Sequence, residues 1–74
     1  MVTEQQINEI EINAVGIAEG FSDAPEGVDE TEALRLAWQH LVDTGICWRL
    51  QGWFGRTAVS LIEQKFVLPY PRKR

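Results

Sequence analysis

The sequence predicts an all-α fold, a small bundle of three principal helices plus one short helical turn. Apolar residues recur at the three-to-four spacing of a helical face in three separate segments. Glycine or proline follows each segment, and both residues commonly stand where helices end. The chain has 74 residues, enough for one domain, and its three Trp, three Phe and one Tyr supply the large side chains that so small a core needs.

The first predicted helix spans residues 4–19. We expect Thr3 to cap its start, without a full capping box because the Ser/Thr-x-x-Glu pattern is out of register. A rival strand interpretation exists, since residues 10–13 alternate in polarity, and Gly16 costs a helix about 1 kcal/mol relative to alanine. The inward face of the helix carries Ile7, Ile10, Ala14 and Ile17, and Phe21 extends it.

A loop in which every charged residue is acidic is predicted next, at residues 20–30. Gly20, Pro25 and Gly27 interrupt regular structure there. This composition makes partial disorder an expectation for the N-terminal segment, residues 1–30. For the acidic run at residues 19–32 the ordinary interpretation is a solvated loop. The sharper alternative is that its closely spaced carboxylates imitate phosphates and occupy a nucleic-acid-binding surface on another protein.

The second predicted helix is the clearest element of the sequence. Asp29 or Thr31 caps its start, and carboxylates in the first turn favour the positive end of the helix dipole. Gly45 ends it, because glycine adopts without strain the left-handed conformation found just past helix ends. The inward stripe consists of Leu34, Ala37, Trp38, Leu41 and Val42.

The segment after Gly45 combines large aromatic residues with two further glycines. We interpret it as a short helical turn, a sharp corner at Gly52, and a last helix from about Phe54 or Arg56 to Phe66. The prolines at positions 69 and 71 cannot continue that helix. Its inward residues are expected to be Phe54, Ala58, Leu61, Ile62 and Phe66.

We expect a single domain, residues 1–74, with charge segregated along it. Residues 1–34 hold nine acidic side chains and no Lys or Arg, which gives −9, and residues 35–74 hold seven basic and two acidic ones, which gives +5. The net charge is −4. The chain therefore divides into an acidic N-terminal helix and loop at 1–30, a helical core at 31–68 and a basic tail at 69–74.

No arrangement of residues typical of an enzyme or a metal site is present in the sequence. Cys47 is the only cysteine, so an internal disulfide and a cage of several thiolates are excluded. His40 and Asp43 lie three apart on one predicted helix, but no fourth metal ligand is evident. Neither a nucleophile-elbow serine nor a glycine-rich phosphate loop occurs. We expect no catalytic residue, no metal and no cofactor.

Three large aromatic residues, Trp48, Trp53 and Phe54, fall within seven positions of the predicted corner. At least two of them are expected to pack inside against Trp38 and its neighbours. Adjacent side chains on a helix point about 100° apart, so Trp53 and Phe54 cannot both face inward, and we expect Trp53 to be partly exposed. Trp and Arg dominate the energetically important positions of protein interfaces, and two arginines flank these aromatics. The predicted partner-binding residues are Arg49, Trp53 and Arg56.

A DNA-binding alternative rests on the order helix, corner, helix over residues 31–66, which loosely resembles a helix-turn-helix motif. The outward face of the last helix offers polar and basic side chains, and the basic tail could join it on phosphates. The net negative charge of the chain weighs against this alternative.

The sequence predicts no membrane contact and no export. Residues 1–4 have no basic region and no apolar run, unlike a secretory signal. No stretch approaches the roughly 18–20 apolar residues of a membrane span. A single cysteine agrees with a reducing compartment, so we expect a cytoplasmic protein.

Several short motifs occur together in residues 37–65: Trp38, Leu-Val-Asp-Thr-Gly at 41–45, Trp-Arg-Leu-Gln-Gly at 48–52 and Phe-Gly-Arg at 54–56. This combination resembles a family of very short helical proteins of unknown function encoded by bacteriophages and prophages. The resemblance implies a gene expressed in a bacterial host cytoplasm. It carries over no site residue, since none is established for the family. Small phage proteins of this kind commonly bind and redirect a host protein, including defence systems.

The functional prediction is a non-enzymatic phage accessory protein that binds a host or viral protein partner, with counter-defence inhibition as one form of that activity. The alternative is a small helix-turn-helix-like DNA-binding regulator. Self-association to a homodimer is compatible with the first prediction, because so small a domain gains stability from an added interface.

Overall fold

The computed structural model describes residues 2–50 and 52–69 of the chain, and these residues form helices joined by turns, with no strand among them. The all-α prediction is therefore confirmed. Helix α3 lies at the centre: the two N-terminal helices pack against it, and a 3-10 turn connects it to the last helix and contacts both. The elements are α1 (Glu4–Ile12), α2 (Ala14–Glu19), α3 (Glu30–Thr44), the 3-10 turn (Ile46–Trp48) and α4 (Gly52–Glu63).

One hydrophobic core joins all of these elements. It combines two aromatic side chains, Trp38 and Phe54, with aliphatic and small residues. None of the helices in residues 2–50 and 52–69 is both long and apolar enough to cross a bilayer. The buried apolar residues are Ile10, Ala14, Ile17, Ala33, Ala37, Trp38, Leu41, Val42, Cys47, Phe54, Ala58 and Val67.

Helix α1 begins with a complete capping box. The Oγ1 atom of Thr3 accepts a hydrogen bond from the backbone N–H of Gln6 at 3.2 Å, and the Oε1 atom of Gln6 accepts one from the N–H of Thr3 at 2.9 Å. The prediction that the full box is absent is therefore wrong, because a glutamine fills the position where glutamate was sought. The Nε2 atom of Gln6 also donates to the carbonyl of Glu26 at 3.0 Å, which ties α1 to the acidic loop.

The predicted helix 4–19 is two helices, because Asn13 interrupts it. The side chain of Asn13 donates to the carbonyl of Glu9 at 3.0 Å, and the backbone N–H of Asn13 donates to the same carbonyl at 3.1 Å. The backbone of Asn13 has φ −102° and ψ 17° and belongs to neither helix. The strand interpretation of residues 10–13 is also wrong, since Ile10, Glu11 and Ile12 are helical.

Helix α2 ends in a turn that explains the glycine at position 16. Gly20 takes the left-handed conformation with φ 83°, and the N–H groups of Phe21 and Ser22 both donate to the carbonyl of Gly16, at 2.8 and 3.1 Å. This closure brings Ser22 directly against Gly16, where a Cβ atom would overlap the serine hydroxyl. A side chain at position 16 would therefore require Ser22 to move. The prediction that Phe21 extends the inward face is wrong, since Phe21 is exposed.

Helix α3 has the caps that the sequence predicts. The Oδ2 atom of Asp29 accepts from the N–H groups of Thr31 and Glu32 at 3.1 and 3.3 Å, so Asp29 rather than Thr31 is the cap. Gly45 ends the helix in the left-handed conformation, with φ 78°. One predicted core position is wrong: Leu34 is exposed, and Ala33 lies in the core instead.

A buried glutamine joins α3 to the segment after α4. Gln39 is 6% exposed, yet its side chain is fully paired. Its Nε2 atom donates to the carbonyl of Leu68 at 2.9 Å, and its Oε1 atom accepts from the N–H of Leu68 at 2.8 Å. The same Nε2 atom donates to Asp43 at 3.0 Å. Gln39 thus pairs with Leu68 as a neighbouring strand would, across 29 positions of sequence.

Replacing Gln39 with leucine is expected to lower the free energy of unfolding by about 1–3 kcal/mol, because both backbone groups of Leu68 lose their partner in a partly buried place. Urea denaturation measures the loss. Gln5→Leu, on the exposed side of α1, is the matched control and should change stability by less than about 0.5 kcal/mol. Equal stability of the two variants would show that the pairing contributes nothing.

Helix α4 starts earlier and ends earlier than predicted. It begins at Gly52, which is helical rather than a corner, and its last residue is Glu63. Lys65 then takes a positive φ of 62°, and the N–H of Phe66 donates back to the carbonyl of Leu61 at 2.9 Å. The predicted inward face is confirmed, with Phe54 and Ala58 buried and Leu61, Ile62 and Phe66 partly buried against the core.

Candidate functional site

Four aromatic residues, which we call the aromatic corner, lie where α4 meets the rest of the fold: Trp38, Trp48, Trp53 and Phe54. The ring centroids of Trp38 and Trp53 are 6.3 Å apart at an interplanar angle of 73°, an edge-to-face contact. Phe54 lies 5.9 Å from Trp38 and 4.1 Å from Trp53 by the same measure. Trp53 is half-buried, in agreement with its expected partial exposure, and Phe54 is buried. These three rings therefore hold the last helix in place.

Trp48 is the aromatic residue of the corner that remains most exposed, with half of its surface (50%) accessible to solvent. Its ring lies against the backbone of α4 at Gly55: a Cβ atom there would be 3.4 Å from Cε3 and 3.6 Å from Cζ3. A Cβ atom on Gly45 would lie 4.0 Å from Cδ1 of the same ring. The half-exposed indole thus lies beside both Gly45 and Gly55, at ordinary van der Waals distance.

The outer side of α4 continues this exposed region. Val59 follows Gly55 by one helical turn and is 48% exposed. Arg56 is exposed, and its Nη1 atom lies 3.1 Å from where a Cβ atom of Gly52 would be, so the guanidinium occupies space left by the missing side chain. Arg49 is exposed directly after Trp48. We call these residues the Trp48 surface: Trp48, Arg49, Gly55, Arg56 and Val59.

The Trp48 surface carries positive charge without compensating carboxylates. Residues 44–62 contain two arginines and no Asp or Glu. Within residues 2–50 and 52–69, neither Arg49 nor Arg56 forms an ion pair. Arg35 differs, since it donates two hydrogen bonds to Glu32, at 2.7 and 2.9 Å, and its guanidinium lowers the pKa of that carboxyl. Two arginines are therefore available to carboxylates on another molecule.

Of the predicted partner-binding residues, Arg49 and Arg56 lie on the Trp48 surface. Trp53 is half-buried between Trp38 and Phe54, and its role in binding stays a prediction. Sequence reasoning missed Trp48 as the exposed ring. The 3-10 turn that carries it has three residues, too few for any periodicity that would separate an inward from an outward face.

The residues weighed as a metal or catalytic group do not form one site. The Nδ1 atom of His40 is 3.6 Å from the Oε2 atom of Glu11 on α1, while Asp43 accepts a hydrogen bond from Gln39. Cys47 is fully buried in the core, and its burial raises the pKa of the thiol. In the described part of the chain, no three His, Cys, Asp or Glu side chains are placed to hold a metal ion.

Comparison with known protein families assigns the chain to a family. The family model for a domain of unknown function (DUF7417) matches residues 22–71, more than half of the sequence. The chain belongs to this family. The matched segment contains the whole Trp48 surface and leaves out α1 and α2. No curated protein and no solved structure matches the chain.

The buried thiol of Cys47 is expected to lower the stability of this DUF7417 chain as the pH becomes alkaline. A raised folded-state pKa favours the folded state below the pKa of the unfolded thiol, about 8.5, and that contribution is lost as pH rises through the folded value. We expect the stability advantage of the wild type over Cys47→Ala to shrink above about pH 8.5. Urea denaturation of both proteins between pH 7 and pH 10 measures it, and a constant difference would contradict the expectation.

Two glycine-to-alanine substitutions within helices should change stability in opposite directions. Gly55→Ala places its Cβ atom in ordinary contact with Trp48 and should stabilise the DUF7417 fold by about 0.5–1 kcal/mol through helix propensity. Gly16→Ala should destabilise it by about 1–3 kcal/mol, because the new Cβ atom lies 3.2 Å from the Cβ of Ser22 and overlaps its hydroxyl. Urea denaturation measures both changes.

The double variant Gly16→Ala, Ser22→Gly is the control for this pair. It removes the side chain that alanine meets, so most of the cost of Gly16→Ala should disappear relative to Ser22→Gly alone. If Gly16→Ala lowered the free energy of unfolding equally with and without the serine side chain, the contact with Ser22 would not be the cause.

Proposed function

We propose that this DUF7417 chain is a non-enzymatic protein that binds a protein partner through the Trp48 surface. The observation that carries the proposal is a half-exposed tryptophan that lies against α4 at Gly55. Exposed Arg49 and Arg56, next in sequence to Trp48 and to Gly55, form no ion pair in the described residues. A rigid aromatic ring loses little conformational entropy on binding, and Trp and Arg are enriched at interface hot spots.

The chemistry of this surface favours a partner with an apolar pocket beside carboxylates. Trp48 and Val59 supply the apolar contact, and Arg49 and Arg56 supply the charges that would meet the carboxylates. The resemblance of residues 37–65 to short phage proteins favours a host or viral protein in a bacterial cytoplasm. Inhibition of a host defence protein is one activity that binding of this kind would produce.

The same surface is less suited to duplex DNA. A recognition helix needs polar or basic residues along its outer face. The outer side of α4 instead exposes Gly52, Val59 and Glu63, with Arg56 as its basic residue. The net charge of −4 further disfavours phosphates. DNA binding is therefore the competing outcome of the test.

The test is affinity capture from a bacterial lysate with and without nuclease, using the wild type, Trp48→Ala and Ile12→Ala. Ile12 is 82% exposed on α1 and serves as the matched apolar control. The proposal expects a protein that survives nuclease, is retained by Ile12→Ala and is lost with Trp48→Ala, and whose purified form binds the wild type directly. Equal capture by Trp48→Ala, or recovery only of DNA and its associated proteins, would overturn it.

A further inference from the structure

A second exposed aromatic residue lies on the acidic half of the chain. Phe21 is 84% exposed, although it occupies the position after the left-handed glycine where an apolar side chain frequently packs back onto the helix. Its backbone is nevertheless fixed, since its N–H and that of Ser22 both donate to the carbonyl of Gly16. A well-defined turn therefore holds this ring in solvent.

The charge around Phe21 is opposite to that of the Trp48 surface. Glu19 and Asp23 flank it and are exposed, and residues 1–34 contain no Lys or Arg. We call residues 19–23 the Phe21 turn. Phe21 follows α2, whereas Trp48 lies against α4, and both rings are exposed, so neither covers the other within one copy.

We infer that the Phe21 turn of one copy binds the Trp48 surface of a second copy. The contact places an aromatic ring against the indole and Val59, and it places Glu19 and Asp23 near Arg49 and Arg56. Both aromatic stacking and charge complementarity favour this pairing. The inference rests on the proposed function, because it takes the Trp48 surface to be the contact surface.

Such a contact is heterologous, since it joins two different surfaces. In a dimer of this kind, one copy keeps a free Phe21 turn and the other keeps a free Trp48 surface. Further copies can therefore add head to tail, or the assembly can close into a ring. An outside partner at the Trp48 surface would compete with this association. Self-association and partner binding are then alternative uses of one surface.

Sedimentation velocity tests the inference with the wild type, Phe21→Ala, Trp48→Ala and an equimolar mixture of the two variants. The wild type should show an average mass that rises above 8.4 kDa with concentration and falls with added salt. Each variant alone should remain monomeric. The mixture should form a heterodimer and nothing larger, because only one intact Phe21 turn and one intact Trp48 surface can meet.

Two further variants make the result specific. Ile12→Ala, which removes another exposed apolar side chain of the acidic half, should associate as the wild type does. Glu19→Gln combined with Asp23→Asn should weaken association while keeping the phenylalanine. A wild type that stays monomeric at every concentration, or a variant mixture without heterodimer, overturns the inference. In that case capture of a partner that depends on Trp48 would still support the proposed function.

Discussion

Trp48→Ala is expected to weaken binding of the purified protein partner by about 30-fold or more, the effect of losing one interface hot spot worth at least 2 kcal/mol. Half of the indole is exposed, and the core does not depend on it as it does on Trp38. The loss of affinity should therefore come with little change in helix content or in the free energy of unfolding. Isothermal titration calorimetry and circular dichroism measure the two effects on the same samples.

Gly55 allows the position of the ring to be changed while the ring itself is kept. Gly55→Leu should displace the indole from the helix and weaken binding nearly as much as Trp48→Ala does, because the leucine side chain would occupy the place of the ring. Gly55→Ala, whose Cβ atom makes only ordinary contact with the ring, should bind as the wild type does. Equal affinity of all three variants would show that the Trp48 surface is not the contact surface.

Trp38→Ala should have the largest effect on stability, a loss of about 3–5 kcal/mol in the free energy of unfolding. Trp38 is 3% exposed, and both Trp53 and Phe54 pack on it. Its removal would therefore leave a cavity between α3 and α4. A domain of 74 residues has a total stability of roughly 4–11 kcal/mol, so a loss of this size removes from about a quarter to all of it.

Urea denaturation followed by circular dichroism measures this loss, with Trp48→Ala as the matched tryptophan control. The control should cost no more than about 1 kcal/mol, since half of its ring is already in water. If Trp48→Ala cost as much as Trp38→Ala, Trp48 would belong to the core and its assignment as an interaction residue would fail.

Local signals predicted helix α3 well. Each of these signals is local, and the structure keeps the cap at Asp29, the glycine at position 45 and the apolar stripe apart from Leu34. The end of α4 was harder to predict, because Lys65 rather than a glycine takes the left-handed conformation there. The break at Asn13 coincides with a side-chain hydrogen bond to Glu9, which apolar periodicity does not register.

Contacts between distant residues could not be predicted from such patterns. Gln39 looks like a polar position on an amphipathic helix, and only its pairing with Leu68 explains its burial. The exposure of Trp48 likewise depends on where α4 passes, since Gly55 supplies the surface on which the ring lies. The sequence thus pointed to Arg49 and Arg56, whose role in binding stays a prediction, and it did not indicate the exposure of Trp48.

Binding of the partner by the Trp48 surface can be observed directly by nuclear magnetic resonance. The ¹⁵N-labelled chain is titrated with the purified partner, and the indole signal of Trp48 is identified by its absence in Trp48→Ala. If the Trp48 surface binds the partner, the largest chemical-shift changes occur at that indole and at the amides of Gly55, Arg56 and Val59, while the signals of α1 are unaffected. Shifts confined to α1 and α2, with an unchanged Trp48 indole, would contradict it.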